Sequence, residues 1–137
     1  MMSNVVVPVR YPLSKHSRQT LGQAIELANE RDADLSVLHV DLYQSSHDVT
    51  RAELKRSVED EFGKLPNAGY IARKGFLVEE TILEEIANED ADVVVIGHKQ
   101  EGRWRQMIRK LVSDPDIESY LRERLDCELV TVGAPSQ

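Results

Sequence analysis

Two hydrophobic patterns alternate along the chain. Apolar runs, some broken by one or two polar residues, occur at Val5–Val9, Leu35–Leu42, Val93–Ile96 and Glu128–Val132, with a weaker, half-apolar one at Gly69–Arg73. Runs rich in β-branched residues predict strands, and an unbroken run such as Val93–Ile96 predicts one buried on both faces. Pro8 lacks a backbone N–H and belongs near a strand end. Between the runs, apolar residues recur at helical spacing. Leu21, Ala24, Ile25 and Ala28 predict a helix capped by Ser14 or Ser17 and running to about Glu30. Leu54, Val58, Phe62 and Leu65 predict a second from Asp48 to Lys64, stopped by Pro66. Val78, Ile82 and Ile86 mark a third. A helical region from Gly102 to Leu125 is interrupted at Ser113–Asp116, where Asp114 is a candidate cap with Pro115 at the first helical position and Glu118 in the first turn.

Alternation of this kind predicts an α/β fold, a parallel sheet covered by helices, formed by residues 1–137 as one domain. An internal echo supports the parse. Ala28–Leu35 and Ala87–Val93 each run from a helix end through Asn-Glu and a polar turn to an Ala-Asp step before a strand. The echo is read as one helix–strand solution used twice rather than as a repeat.

The loop after Ile96 carries the most information about function. Ligands of open α/β sheets bind at the carboxyl edge, and a phosphate there is normally held by a glycine-rich loop. Here Gly97 is followed by His98-Lys99-Gln100-Glu101-Gly102-Arg103-Trp104-Arg105, poor in glycine and rich in cations. Lys99, Arg103, Arg105, Arg109 and Lys110 face only Glu101 within residues 98–110. One reading is an anion site in which side-chain cations, joined by Arg10, replace backbone donors. The other is a solvated helix face, with Arg105 and Arg109 opposite Trp104, Ile108 and Leu111. His98 stands where a general base or ligand-sensing group would sit, although a structural hydrogen bond is the plainer role. His39 lies inside a strand, and His16 and His47 read as surface. The acidic pairs Glu79-Glu80 and Glu84-Glu85 read as helix surface.

Composition narrows the classes. The apolar share of 41% and charged share of 30% are those of a soluble globular protein. No apolar run approaches a bilayer span, and Met1-Met2-Ser3-Asn4 lacks the features of a signal peptide, so a cytoplasmic location and no membrane association are expected. Cys127 is the only cysteine, which excludes an internal disulfide, and its apolar surroundings predict an unreactive thiol. A net charge of −7 argues against nucleic acid as a partner and fits a salt-adapted source. No zinc-ligand spacing, P-loop, Gly-x-Gly-x-x-Gly or Gly-x-Ser-x-Gly occurs, so neither a metal site nor a catalytic constellation is expected.

Val5-Val6-Val7-Pro8-Val9, Ala33-Asp34-Leu35-Ser36-Val37-Leu38-His39-Val40, Gly75, and Ala91-Asp92-Val93-Val94-Val95-Ile96-Gly97-His98 fall in one order and spacing. Together they resemble the universal stress protein family over nearly the whole chain. The resemblance implies a five-stranded parallel Rossmann-like sheet of order 3-2-1-4-5 with helices on both faces. It also implies a homodimer built on the last strand, here Leu129, Val130, Thr131 and Val132, in keeping with the exposed backbone of an edge strand. One group in that family binds ATP through an aspartate ending strand one and a Gly-x2-Gly-x9-Gly-Ser/Thr array after strand four. Arg10, Gln100 and Lys110 stand at three of those positions, and an insertion would bring Pro115-Asp116 to the last, replacing a donor by proline and adding a charge that repels phosphate. The run Gly97-His98-Lys99-Gln100-Glu101-Gly102-Arg103-Trp104 is more similar to the universal stress protein A type, for which ATP binding is not expected. The resemblance thus implies a dimeric regulatory or protective module with no cofactor, acting through protein association. The alternative is an ATP- or AMP-binding sensor, with magnesium, that uses cations in place of glycines. Its candidate residues are Val9, Arg10, His39, Val40 (beside any adenine), Gly97, His98, Lys99, Gly102 and Arg103. A weak nucleotide hydrolase has the least support.

Overall fold

A computed structural model describes residues 3–44, 48–110 and 117–133. The elements run β1 (Asn4–Pro8), α1 (Lys15–Glu30), β2 (Asp34–Leu42), α2 (Arg51–Phe62), β3 (Ala68–Gly75), α3 (Val78–Asn88), β4 (Val93–Gly97), α4 (His98–Arg109), α5 (Ile117–Arg124) and β5 (Glu128–Val132). All strand pairings are parallel and the order is β3-β2-β1-β4-β5, the order expected. Leu111, the proposed cap Asp114 with Pro115, and His47 lie outside the described residues.

The central strands bury both faces. Val5, Val7, Val93 and Val95 point to one side and pack with Leu21, Ala24, Ala28, Leu54 and Val58 of α1 and α2. Val6, Val94 and Ile96 point to the other and pack with Ile82 and Ile86 of α3, Trp104 and Ile108 of α4, and Ile117 and Leu121 of α5. Trp104, Ile108 and Leu121 are fully buried. Each such side chain contributes about 1.5–3 kcal/mol relative to exposure.

Three helix ends are closed in the same way. Asp32, Asp90 and Asp126 have φ of 52°, 55° and 53°, a left-handed conformation that aspartate tolerates better than most residues. Behind the first two, the amides of Ala33 and Ala91 donate to the carbonyls of Ala28 and Ile86 at 2.8 and 3.3 Å, the longer bond of a Schellman turn. The internal echo is this shared geometry. The third turn delivers Cys127 into the core, where burial pushes its thiol up to about 11.

Several boundaries differ from the sequence expectation. α2 starts at Arg51, because Thr50 and Glu53 form a capping box; Asp48 instead pairs with Lys74 of β3. β3 extends over Ala68–Gly75 and pairs with β2 along that whole length. Its register partner, rather than its own weak apolar pattern, sets its extent. α4 begins at His98, so the expected loop after Ile96 is helix from its first residue. Glu85 is not on the helix surface: it is buried, with one oxygen 2.9 Å from Arg73 Nε.

Gly75 at the end of β3 lies tight against α3, since a Cβ there would overlap the Thr81 side chain. Gly75→Ala is therefore expected to lower unfolding free energy by about 1–3 kcal/mol, measured by urea denaturation. Thr81→Ala in the same background should recover part of the loss.

Candidate functional site

The β1–α1 and β4–α4 connections leave the sheet toward opposite faces, and the carboxyl edge opens between them, as at other topological switch points. A cleft of about 730 Å³ lies there. It lies against the starts of α1, α3 and α4, whose first N–H groups have no intrahelical partner.

Seven of the nine residues named as ligand candidates line this cleft: Val9, Arg10, His39, Val40, Gly97, Lys99 and Arg103. His98 and Gly102 do not. The physical reason is the helix that replaces the expected loop. Gly97 is extended (φ −78°, ψ 158°) and caps α4, so successive side chains diverge by about 100°. Lys99, Gln100 and Arg103 then face the cleft, and Trp104 and Ile108 face the sheet. Gly102 is on the exposed side with open space around it, and the His98 ring lies near Gly133, beyond the end of β5.

His39 is held in the cleft wall at both ring nitrogens. It is buried at the carboxyl end of β2, with Nδ1 donating to the Val9 carbonyl at 2.9 Å and Nε2 at 2.9 Å from Asp41 Oδ1. Asp41 Oδ2 in turn accepts the Val49 amide at 3.0 Å. The ring thereby joins the ends of β1 and β2 to the segment before α2. Neither nitrogen is left for a substrate. Ser17, also in the wall, accepts the Arg10 amide at 3.1 Å and is bonded to Ser14, the cap of α1.

The basic island is partly neutralised. Arg103 Nε donates to Glu79 Oε1 at 3.1 Å, and Arg105 pairs with Glu101 at 3.4 Å. Glu101 also accepts from Thr131 of β5 at 2.9 Å. Arg105, Arg109 and Lys110 are exposed, which matches the solvated-face reading, and the last two suit the negative end of the α4 dipole. Lys99 and Arg10 line the cleft with no ion-pair partner among the described residues.

Glu79 is the important residue that sequence reading misplaced. It is not helix surface: its carboxylate in the cleft wall accepts from Arg103, from the Trp104 indole at 2.6 Å and from Gln100 at 3.5 Å. A signal existed, because a tryptophan buried at helical spacing needs an acceptor for its N–H. Among the described residues, no group of three His, Cys, Asp or Glu side chains is placed to hold a metal ion. No helix there is long and apolar enough to cross a membrane.

The model of the universal stress protein family matches residues 1–133. No curated protein sequence matches the chain. Among solved structures, it is similar to the universal stress protein UspA from Lactobacillus plantarum, with 18% identity, 94% of this chain and 96% of that one covered, and a TM-score of 0.57. A universal stress protein in complex with cAMP has 16% identity, coverage of 95% and 97%, and a TM-score of 0.55. A third, from Archaeoglobus fulgidus, has 16% identity, coverage of 96% and 98%, and a TM-score of 0.54. Identities this low establish a common fold.

His39→Ala removes partners from the Val9 carbonyl and the Asp41 carboxylate together. It is expected to cost about 1–3 kcal/mol, measured by urea denaturation.

Proposed function

The chain belongs to the universal stress protein family, and within it we propose a homodimeric, non-enzymatic regulatory or protective module of the stress response, located in the cytoplasm, that does not bind ATP. The observation that carries this reading is the junction at Gly97. β4 passes directly into α4, so the place of a glycine-rich phosphate loop is taken by a helix whose cleft-facing side chains are Lys99, Gln100 and Arg103. A triphosphate needs several backbone donors closing on it in a fixed geometry; here Glu79 adds a carboxylate to the same wall. Arg10 stands where the ATP-binding group has its aspartate. These departures align the chain with the universal stress protein A type. The engagement of both His39 nitrogens supports a non-catalytic cleft.

Association through β5 is favoured by its position. Among the described residues the strand pairs with β4 alone, and its residues are half-buried. Its start is anchored by Arg31, whose two terminal nitrogens donate to the two Glu128 oxygens at 3.1 and 3.2 Å, and this hydrogen-bonded pairing holds the Glu128 carboxyl below its ordinary value.

A second reading has its own support: a singly charged mononucleotide or another small anion in the cleft. Arg10 and Lys99 provide charge there, the volume suits such a ligand, and a structural relative is a complex with cAMP.

Two measurements test the leading proposal. Millimolar ATP with magnesium should leave the melting temperature unchanged, and a rise of several degrees would overturn it, because a ligand of the native state must raise stability. Val130→Lys should convert a dimer to a monomer by light scattering; an unchanged dimer mass would remove β5 from the interface.

A further inference from the structure

Glu79 has an unusual set of partners. It stands in the first turn of α3, where the cap residue Leu77 supplies no side-chain hydrogen bond. A carboxylate in that position ordinarily serves the free N–H groups of its own helix. Its carboxylate accepts instead from α4: from Arg103 Nε at 3.1 Å, Trp104 Nε1 at 2.6 Å and Gln100 Nε2 at 3.5 Å. The three donors are of different kinds, one cationic, one indole and one amide. Those of Arg103 and Gln100 belong to residues of the cleft wall.

A converging set of this kind is what a phosphoryl group requires, namely a guanidinium with neutral N–H donors beside it. The carboxylate fills the position in which a phosphoryl oxygen would sit. Its side chain is only 20% exposed, against 43% for Arg103, so the acid is the inner member of the pair. An entering phosphoryl group would have to displace Glu79 from Arg103 and then lie beside its negative charge. We propose that Glu79 is a tethered surrogate anion, a specificity-determining residue that excludes phosphoryl groups from the cleft by occupying their donors. The inference deepens the leading functional reading and rests on it, since it assigns to one side chain the exclusion of ATP.

Trp104 is the only tryptophan of the chain and bonds directly to Glu79, so its fluorescence reports the exchange. The probe is inorganic pyrophosphate, titrated into the wild-type protein, Glu79→Gln, and Glu79→Gln with Arg103→Met. Glutamine keeps an oxygen for the indole N–H while removing the charge. The single variant is expected to bind pyrophosphate at least about tenfold more tightly than wild type, the scale of one charge-assisted hydrogen bond regained. The double variant should lose that gain. Equal binding by wild type and a folded Glu79→Gln, both weak, overturns the surrogate role and leaves the exclusion of ATP standing. Tight binding by wild type overturns both. If Glu79→Gln does not fold, Glu79→Ser gives the same comparison, with water taking the indole N–H.

Discussion

The structure depends on covering both faces of one parallel sheet. Val5, Val6 and Val7 in β1 and Val94, Val95 and Ile96 in β4 are completely buried, and that is achieved only with helices on each side. Right-handed crossovers then carry the chain outward in two directions from the middle of the sheet. α1 leaves β1 toward one face and α4 leaves β4 toward the other, so the strand ends between them remain uncovered. The cleft follows from the way the sheet is wound. Its location requires no residue selected for ligand binding.

The same demand for burial gives the cleft its character. Trp104 is completely buried in the core on the α3–α4–α5 side of the sheet, but its indole N–H is polar and has to be satisfied there. Glu79 satisfies it from the neighbouring helix, and in doing so brings an acid to a wall that Arg103 and Lys99 would otherwise make basic. A requirement of the core thus decides the electrostatics of a surface site. On the opposite wall, His39 ties two strand ends together by a similar economy, with one ring serving a carbonyl and a carboxylate.

What could be read in advance follows from where each signal resides. β1 and β4 were legible because burial on both faces leaves a nearly unbroken β-branched run, whereas the bringing together of Val9, Arg10, His39 and Val40 was implied by the family resemblance, which alone supplied the strand order. β3 was legible only in part: as an edge strand it owes its length to pairing with β2, which side chains do not encode. The start of α4 was hidden because its first residues are polar and include Gly102. Anchoring by Trp104 and Ile108, four residues apart on the buried face, holds that helix where propensity alone is weak. Without the phase of the helix, His98 and Lys99 were indistinguishable as ligand candidates. Glu79 and Glu85 were misread because their partners lie 24 and 12 residues away, at Arg103 and Arg73.

The three aspartate turns also bear on which parts of the chain can change length. Each enters a strand within a few residues, through one left-handed residue and a buried Ala33, Ala91 or Cys127. A residue inserted there would shift the following strand by one place and turn its core face toward the wrong layer. These three turns at the amino edge are therefore poor places for insertion or deletion. At the opposite edge the connections following β2 and β3 leave Tyr43, Phe76 and Leu77 exposed, and a residue added there meets no such register constraint. The rim of the cleft can therefore change length while those three turns keep theirs.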